Sequence, residues 1–365
     1  GFVYANEGVL FIRSQNVNND RLDLENSVFI SEEINKGMKN SIVESNDILL
    51  NITGASLGRS CVVPNDFKIG NINQHVCIIR TSKGYNPRFI QPFLSSDKGQ
   101  NIFESLQTGS GREGLNFENI KNVELYFPSL KEQNKISSFL SLLDAKIQTQ
   151  NKIITQLQTL MQGLGEQLFK QEIQFKDENG NDFPDWEEKF GNEVFQSVSD
   201  KNHNSDLPIL AITQEHGAIP RDMIDYNITV TEKSVKNYKV VQVSDFIISL
   251  RSFQGGIEYS NYKGICSPAY IILRAAIPVN EIYFKYYFKT AKYITALNKK
   301  LEGIRDGKMI SYSYFSEIAL PFPPIEEQTL IANFLSSFDK KIETEKKILL
   351  QYESEKKHLL QNMFV

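Results

Sequence analysis

The sequence predicts an α+β chain: two mixed α/β domains separated by two long helices that pair as an antiparallel coiled coil. Three observations predict it. The phrase FPSLKEQ at 127–133 returns as FPPIEEQ at 322–328. Each copy opens a helix-like run in which apolar residues recur at alternating steps of four and three. Each copy is preceded by a segment of short β-type runs broken by Gly, Asn and Ser.

In chain order, residues 1–128 form the first domain, with strands expected at Val9–Arg13, Asp47–Ile52 and Val76–Arg80. This domain is expected to be N-terminally truncated, because the second domain carries Trp186 to Ser199 ahead of its first strand pair and the first has no counterpart. Residues 129–170 form the first long helix. Ser129 and Glu132 make an S-x-x-E capping box, and Ile136, Leu140, Leu143, Ile147, Ile154, Leu157, Met161, Leu164 and Leu168 make the seam. Gln150 interrupts it. Residues 171–189 are polar, with a turn at Asn179-Gly180, and read as a linker.

Residues 190–322 form the second domain, with strands expected at Phe246–Leu250 and Tyr270–Arg274. Two landmarks relate it to the first. The run beginning at Asp245 answers that beginning at Asp47, and Ser267 to Arg274 answers Asn73 to Arg80. Residues 323–365 form the second long helix. Pro324 suits its first turn, where a missing N–H is no loss. Ile331, Leu335, Phe338, Ile342, Leu349, Tyr352, Leu359 and Met363 repeat the register, which Glu345 and Lys356 break. Aligned without gaps, the two helices are identical at Pro128/Pro323, Glu132/Glu327, Gln133/Gln328, Ile136/Ile331, Phe139/Phe334, Asp144/Asp339, Phe169/Phe364 and further positions, the mark of an internal duplication. A helix of about 37 residues spans ~55 Å, far longer than an ordinary core helix, and each copy is the obvious partner of the other.

Composition narrows the function. The chain has 365 residues, 41% of them apolar, and a mean hydropathy of −0.32, with no apolar run approaching the ~18–20 residues of a membrane span. Cys61, Cys77 and Cys266 lie far apart and form no C-x-x-C pair, and the four histidines are scattered. This points to a reducing cytoplasm and to a chain without metal or disulfides. The net charge of −4 argues against an indiscriminate polyanion binder. A DNA reader can nonetheless have a modest total when its positive charges share one face, and residues 190–316 carry more Lys and Arg than Asp and Glu.

No catalytic motif survives inspection. Gly109 to Gly114 spells G-x-G-x-x-G but follows a helix-like stretch rather than a strand, and its counterpart at Gly303 does not repeat the pattern. It reads as a loop with one arginine, Arg112, matched by Arg305 and followed by Lys308. Asn86 to Phe89 lacks the second proline of an amino-methyltransferase N-P-P-F motif, and no glycine motif for S-adenosylmethionine accompanies it. Pro184-Asp185 and Glu187 to Lys189 contain the letters of a nuclease site too close together for separate strands. The two domains do offer planar hydrogen-bonding side chains beside positive charge: Arg13, Ser14, Gln15 and Asn16; Asn51, Thr53, Ser56 and Arg59; Asn73, Gln74 and His75; Thr213 and Gln214; Arg251 and Ser252. Arg reads guanine in a bidentate manner, and Asn or Gln reads adenine. The plainer reading of any one of these is a surface loop with satisfied side chains.

The layout and the duplicated F-P-x-x-E-Q phrase resemble the specificity subunit of type I restriction-modification enzymes, over essentially the whole chain. The resemblance implies two target-recognition domains, each reading half of a bipartite double-stranded DNA site. It implies helices that act as a spacer and dock two methyltransferase subunits, with Glu132, Gln133, Glu327 and Gln328 as the expected contacts. S-adenosylmethionine is expected on those partners and no cofactor on this chain. Separate motor-nuclease subunits are expected to cut unmethylated DNA. Two competing readings are a methyltransferase or nuclease with its own site, and a coiled-coil scaffold for proteins alone.

Overall fold

The computed structural model describes residues 4–18, 20–107, 114–203, 206–224, 235–299 and 310–364. The chain divides into two compact units, Gly1–Lys152 with Glu345–Val365, and Ile153–Thr344. Each unit therefore holds one mixed α/β domain, the first part of one long helix and the last part of the other.

The long helices run Leu130–Phe169 and Ile325–Met363, about 60 Å each at 1.5 Å per residue. Gln171, with a left-handed φ of 60°, lies just past the end of the first. Within the first unit the helices pair antiparallel. Gln150 Nε2 donates to Glu345 O at 3.1 Å, the Lys146 ammonium lies 5.5 Å from the Tyr352 ring, and Lys356 Nζ meets Asp144 Oδ1 at 2.8 Å. Within the second unit the order is the same, with Leu168 and Phe169 packed among Ile331, Ala332 and Leu335. Gln150, Glu345 and Lys356, the three breaks in the heptad pattern, thus find polar partners in the first unit. Polar pairs at such positions specify register where an all-leucine seam would not.

In the first unit a four-stranded sheet runs in the order Val28–Ile30, Val9–Ile12, Gly70–Ile72, Ile42–Val43, beside a three-stranded sheet ordered Ser60–Val62, Ile48–Asn51, Val76–Ile79. The strand Ile48–Asn51 is buried throughout. Its period of two sends Leu49 into a cluster with Ile12, Val17, Val43 and Ile72. Ile48 and Leu50 face the other way, into a cluster with Phe89, Phe93, Phe103 and Phe364. The last group brings in Ile136, Leu360 and Met363, so the domain core continues onto the helix pair.

The second unit repeats the plan with a denser aromatic core. Its four-stranded sheet runs in the order Phe195–Val198, Ile271–Ala275, Phe246–Ile248, Glu258–Tyr259. Phe195, Phe246, Tyr283, Phe284, Phe288, Tyr293 and Phe315 are all fully buried, with several edge-on ring pairs such as Phe195 on Phe284 at 5.1 Å. Each such ring contributes roughly 1.5–3 kcal/mol by burial. The stretch read as a linker ends in a strand, Glu187–Phe190, which pairs antiparallel with Ala319–Phe322. No described helix is long and apolar enough to cross a membrane.

Candidate nucleic-acid interface

The two landmarks read from the sequence meet in space. Asp47, at the start of one central strand, accepts two hydrogen bonds from Arg80 at the end of its neighbour, at 2.8 Å from Nε and 2.7 Å from Nη2. Asp245 and Arg274 make the same fork at 2.7 and 2.7 Å. Each aspartate also accepts a backbone N–H, from Glu44 and from Gln242 respectively. Both carboxylates are buried, and their hydrogen bonds hold Arg80 and Arg274 still further toward the charged form. The forks tie together the strands whose opposite ends carry the candidate loops.

In the first unit those loops converge. Asn51 Nδ2 donates to Ser14 O at 2.8 Å, Asn73 N–H to Ile12 O at 3.0 Å, and Thr53 Oγ1 bonds His75 Nδ1 at 2.7 Å. Arg59 Nη1 reaches Asn18 Oδ1 at 3.2 Å, and Arg13 Nη2 donates to Asn26 O at 2.9 Å while its guanidinium covers Tyr4. Gln15, Arg59, Gln74 and His75 are exposed on the resulting surface, with Arg13, Ser14, Thr53, Ser56 and Asn73 half-buried at its base.

In the second unit a hairpin joins Leu210–Thr213 to Gly217–Pro220. Gly217 has φ +68°, and a Cβ there would come within 2.8 Å of Tyr259 O, so the turn requires glycine. Thr213 Oγ1 donates to Gly217 O at 3.2 Å and accepts from His216 N–H at 3.0 Å. Gln214 Nε2 donates to Arg251 O at 3.3 Å, joining the hairpin to the second loop. Gln214, His216 and Arg251 are exposed; His216 is the exposed ring that sequence reasoning passed over, for want of any pattern around it. Such a set of amides, guanidinium groups and imidazoles can meet base edges and phosphates.

Three expected base-readers turn inward. Asn16 is 3%, Asn51 0% and Ser252 1% exposed. Asn16 accepts from Arg13 N–H and donates to Asp23 O, and Ser252 Oγ accepts from Ser249 N–H at 2.8 Å. Their short polar side chains build the loops rather than face outward. Arg112, Arg305 and Lys308 lie outside the described residues.

The repeated phrase also has an inward role. Gln133 Oε1 accepts from Asn86 N–H at 2.9 Å, and its Nε2 donates to Pro128 O at 2.9 Å. Gln328 does the same with Asn280 N–H at 2.9 Å and Pro323 O at 2.9 Å. Asn86 and Asn280 in turn cap the helices Pro87–Ser95 and Glu281–Tyr287. One glutamine thus locks the first turn of a long helix to a helix of its domain. Gln133, Gln328 and Glu327 are 2%, 0% and 3% exposed, so the expectation that they face a partner is corrected; only Glu132 of the four stands at the surface. Glu327 accepts from the Trp186 indole at 2.8 Å; burial pushes its carboxyl up, and that hydrogen bond works against the rise.

Among the described residues no cluster of three or more His, Cys, Asp or Glu side chains is arranged to hold a metal ion.

The family model for the type I restriction modification DNA specificity domain matches residues 4–159 and again 184–353. The MjaX type I restriction enzyme specificity subunit of Methanocaldococcus jannaschii is 26% identical over 306 residues, 78% of this chain and 69% of that protein. The EcoBI specificity subunit of Escherichia coli is 30% identical over 182 residues, 47% of this chain and 38% of its own length. Among solved structures, the S subunit of a type I restriction-modification system from M. genitalium superposes with a TM-score of 0.57 at 16% identity, over 99% of this chain and 90% of that one. A chain from a structural study of type I complex assembly and conformational transition gives 0.58 at 16%, over 100% and 92%. At such identity these two speak for the fold.

Proposed function

The chain belongs to the type I restriction-modification DNA specificity family, the recognition component of that system, and from this premise we propose that it reads a bipartite DNA target, one half with each of its two domains. Residues 1–128 and 190–322 are the two readers, and the helices at 129–170 and 323–365 are the spacer between half-sites. The observation that carries the reading is the duplication itself. Two domains of one plan are fastened by the same Gln clamp to the two members of an antiparallel helix pair.

The first reader presents Gln15, Arg59, Gln74 and His75, and the second Gln214 and Arg251. Reading is in the major groove, where every base pair is distinguishable. The chain itself carries out no chemistry: it works in the cytoplasm with two methyltransferase subunits, which hold S-adenosylmethionine, and with motor-nuclease subunits. The methyltransferase subunits dock on exposed parts of the helices, where Leu142 is 67% and Leu350 64% exposed. Docking of such side chains removes apolar surface from water.

The test is methylated-base sequencing of a host that expresses this chain with its methyltransferase partners. A single motif of two short halves separated by a fixed unread gap is expected. Substituting Arg59 should alter one half only, and substituting Arg251 the other. A contiguous motif, or both halves changing together, would overturn the reading. Binding of the assembled complex to target duplex should fall steeply with salt, as phosphate contacts require.

A further inference from the structure

The two long helices differ at one seam position. Lys356 stands in the second helix where the repeat places Met161 in the first. In the second unit Met161 packs against the ring cluster. In the first unit the Lys356 side chain is only 18% exposed and lies between two carboxylates, 2.8 Å from Asp144 Oδ1 and 3.1 Å from Asp20 Oδ2. Burial alone would lower the pKa of this ammonium, but Asp20 and Asp144 more than offset it and raise it above its ordinary value. A lysine enclosed in a seam carries a desolvation cost that methionine does not, and close pairing offsets that cost.

Asp144 is on the first long helix and Lys356 on the second, but Asp20 belongs to the domain. It sits between the paired strands Val17–Asn18 and Arg21–Leu22, with a left-handed φ of 60°. Such a backbone is uncommon outside glycine and persists where its surroundings hold it. Gln91 Nε2 and Ser95 Oγ donate to Asp20 Oδ1 at 2.9 and 2.6 Å, both from the helix Pro87–Ser95 that the Gln133 clamp fixes. With its amide oxygen turned inward, Gln148 accepts from Arg21 Nε at 3.1 Å and Nη2 at 2.9 Å. The hairpin is thus fastened to both long helices. Its other strand supports a reader, since Asn18 Oδ1 accepts from Arg59 Nη1 at 3.2 Å. In the second unit Asp339, the counterpart of Asp144, is held instead by its own domain: Lys285 Nζ lies at 2.8 Å and Tyr286 OH donates at 2.7 Å.

We infer that Lys356, on the second long helix, is a positioning residue for the first reader: gripping Asp20 against Asp144, it fixes the hairpin on which Arg59 leans and so the direction in which Arg59 meets DNA. The inference rests on the proposed function and names a determinant of its first half-site that lies outside the first domain's sequence. A guanidinium discriminates bases only when its fork is aimed, because bidentate pairing to guanine tolerates little rotation. Lys356 touches no base; it acts through Asp20, Asn18 and Arg59. Met161 gives the second reader no such grip, so the effect is confined to one half-site.

The test is methyl transfer by the chain assembled with its methyltransferase partners, on duplexes carrying the intact target or one changed base pair in either half. Discrimination is the ratio of kcat/KM for intact over changed duplex, and Arg59→Ala identifies the base pair that Arg59 reads. Lys356→Met installs the residue that the repeat has at this position. It should lower discrimination at that base pair about fivefold or more, within the range of one arginine–base contact, and leave the second half unchanged, which also shows that the variant is folded and assembled. Lys356→Arg, which keeps a cation between Asp20 and Asp144, should retain most of the discrimination. In an Arg59→Ala background Lys356→Met should cause no further loss, whereas a merely structural role would add its own. Unchanged discrimination in Lys356→Met, equal losses at both halves, a further loss in the Arg59→Ala background, or no rescue by arginine would each overturn the inference alone. A parent complex that fails to discriminate at both halves would overturn the proposed function and this inference with it.

Discussion

The two units fold on one plan but keep different parts of it. Both retain the Gln clamp and the Asp–Arg fork, with distances matching to within about 0.1 Å. Their cores differ in content: each unit has an aliphatic cluster and a ring-bearing one, but the latter holds Phe89, Phe93, Phe103 and Phe364 in the first unit and a denser set around Phe195, Phe246, Tyr283, Phe284, Phe288, Tyr293 and Phe315 in the second. The invariant parts are directional polar contacts between elements far apart in sequence. The variable parts are apolar packing, which many side-chain combinations can satisfy, and loops, which face outward. Under the proposed function, each domain can therefore change its target while keeping its joint to its own long helix.

The most severe test of that division acts on the rod. Removing one heptad from each helix, 147–153 with 342–348, takes out about 10 Å, roughly three base pairs of duplex. Methylated-base sequencing should find both half-sites unchanged and the gap between them altered; an unchanged gap would remove the spacer role. The forks come next. Arg274→Ala leaves Asp245 buried with a single backbone donor, and should cost about 3 kcal/mol in urea unfolding. Arg80→Ala should cost less, about 2 kcal/mol, because the Arg80 side chain is 48% exposed against 36% for Arg274 and its interaction is more screened.

Gln328→Ala and Gln133→Ala each strand a backbone N–H and a carbonyl, and about 2 kcal/mol is expected for each. Equal costs would support equivalent joints; a cost confined to one would break the comparison. A smaller effect, at the second joint, depends on pH. Burial raises the Glu327 carboxyl, so the folded state holds its proton more tightly than the unfolded chain. Stability from this group is therefore greatest below its ordinary value near 4.5 and falls as pH rises above it. Glu327→Gln keeps an acceptor for Trp186 without the charge, so it should melt slightly above the parent at pH 7, with the gap closing as pH drops toward 4. The smallest signal is chemical. Burial pushes the thiols of Cys61 and Cys266 up to about 12 and that of Cys77 to about 11. A thiol reagent at pH 8 should leave all three intact until the chain unfolds.

Much of this was legible along the chain. Strands expected at Asp47–Ile52 and Tyr270–Arg274 are observed at Ile48–Asn51 and Ile271–Ala275. The pairing of Asp47 with Asp245, and of Arg80 with Arg274, as equivalent landmarks held because a strand keeps its end residues in register with its neighbour. The loops were legible as loops, but the direction of their side chains was not. Asn16, Asn51 and Ser252 have the letters of base-readers and the geometry of turn-builders, and letters alone do not distinguish the two uses.

The amino-acid order by itself determined that the chain is duplicated, that each copy opens a long helix, and that each helix needs a partner. Those properties are periodic and local, so they are written in spacing. Tertiary structure alone decided that Gln133 and Gln328 close onto Asn86 and Asn280 and that Gln150 meets Glu345. It also decided that the second joint is capped by Trp186. Each depends on a hydrogen bond or a ring contact between segments remote in sequence, and a polar side chain carries no mark of its partner until the fold brings the two within about 3 Å.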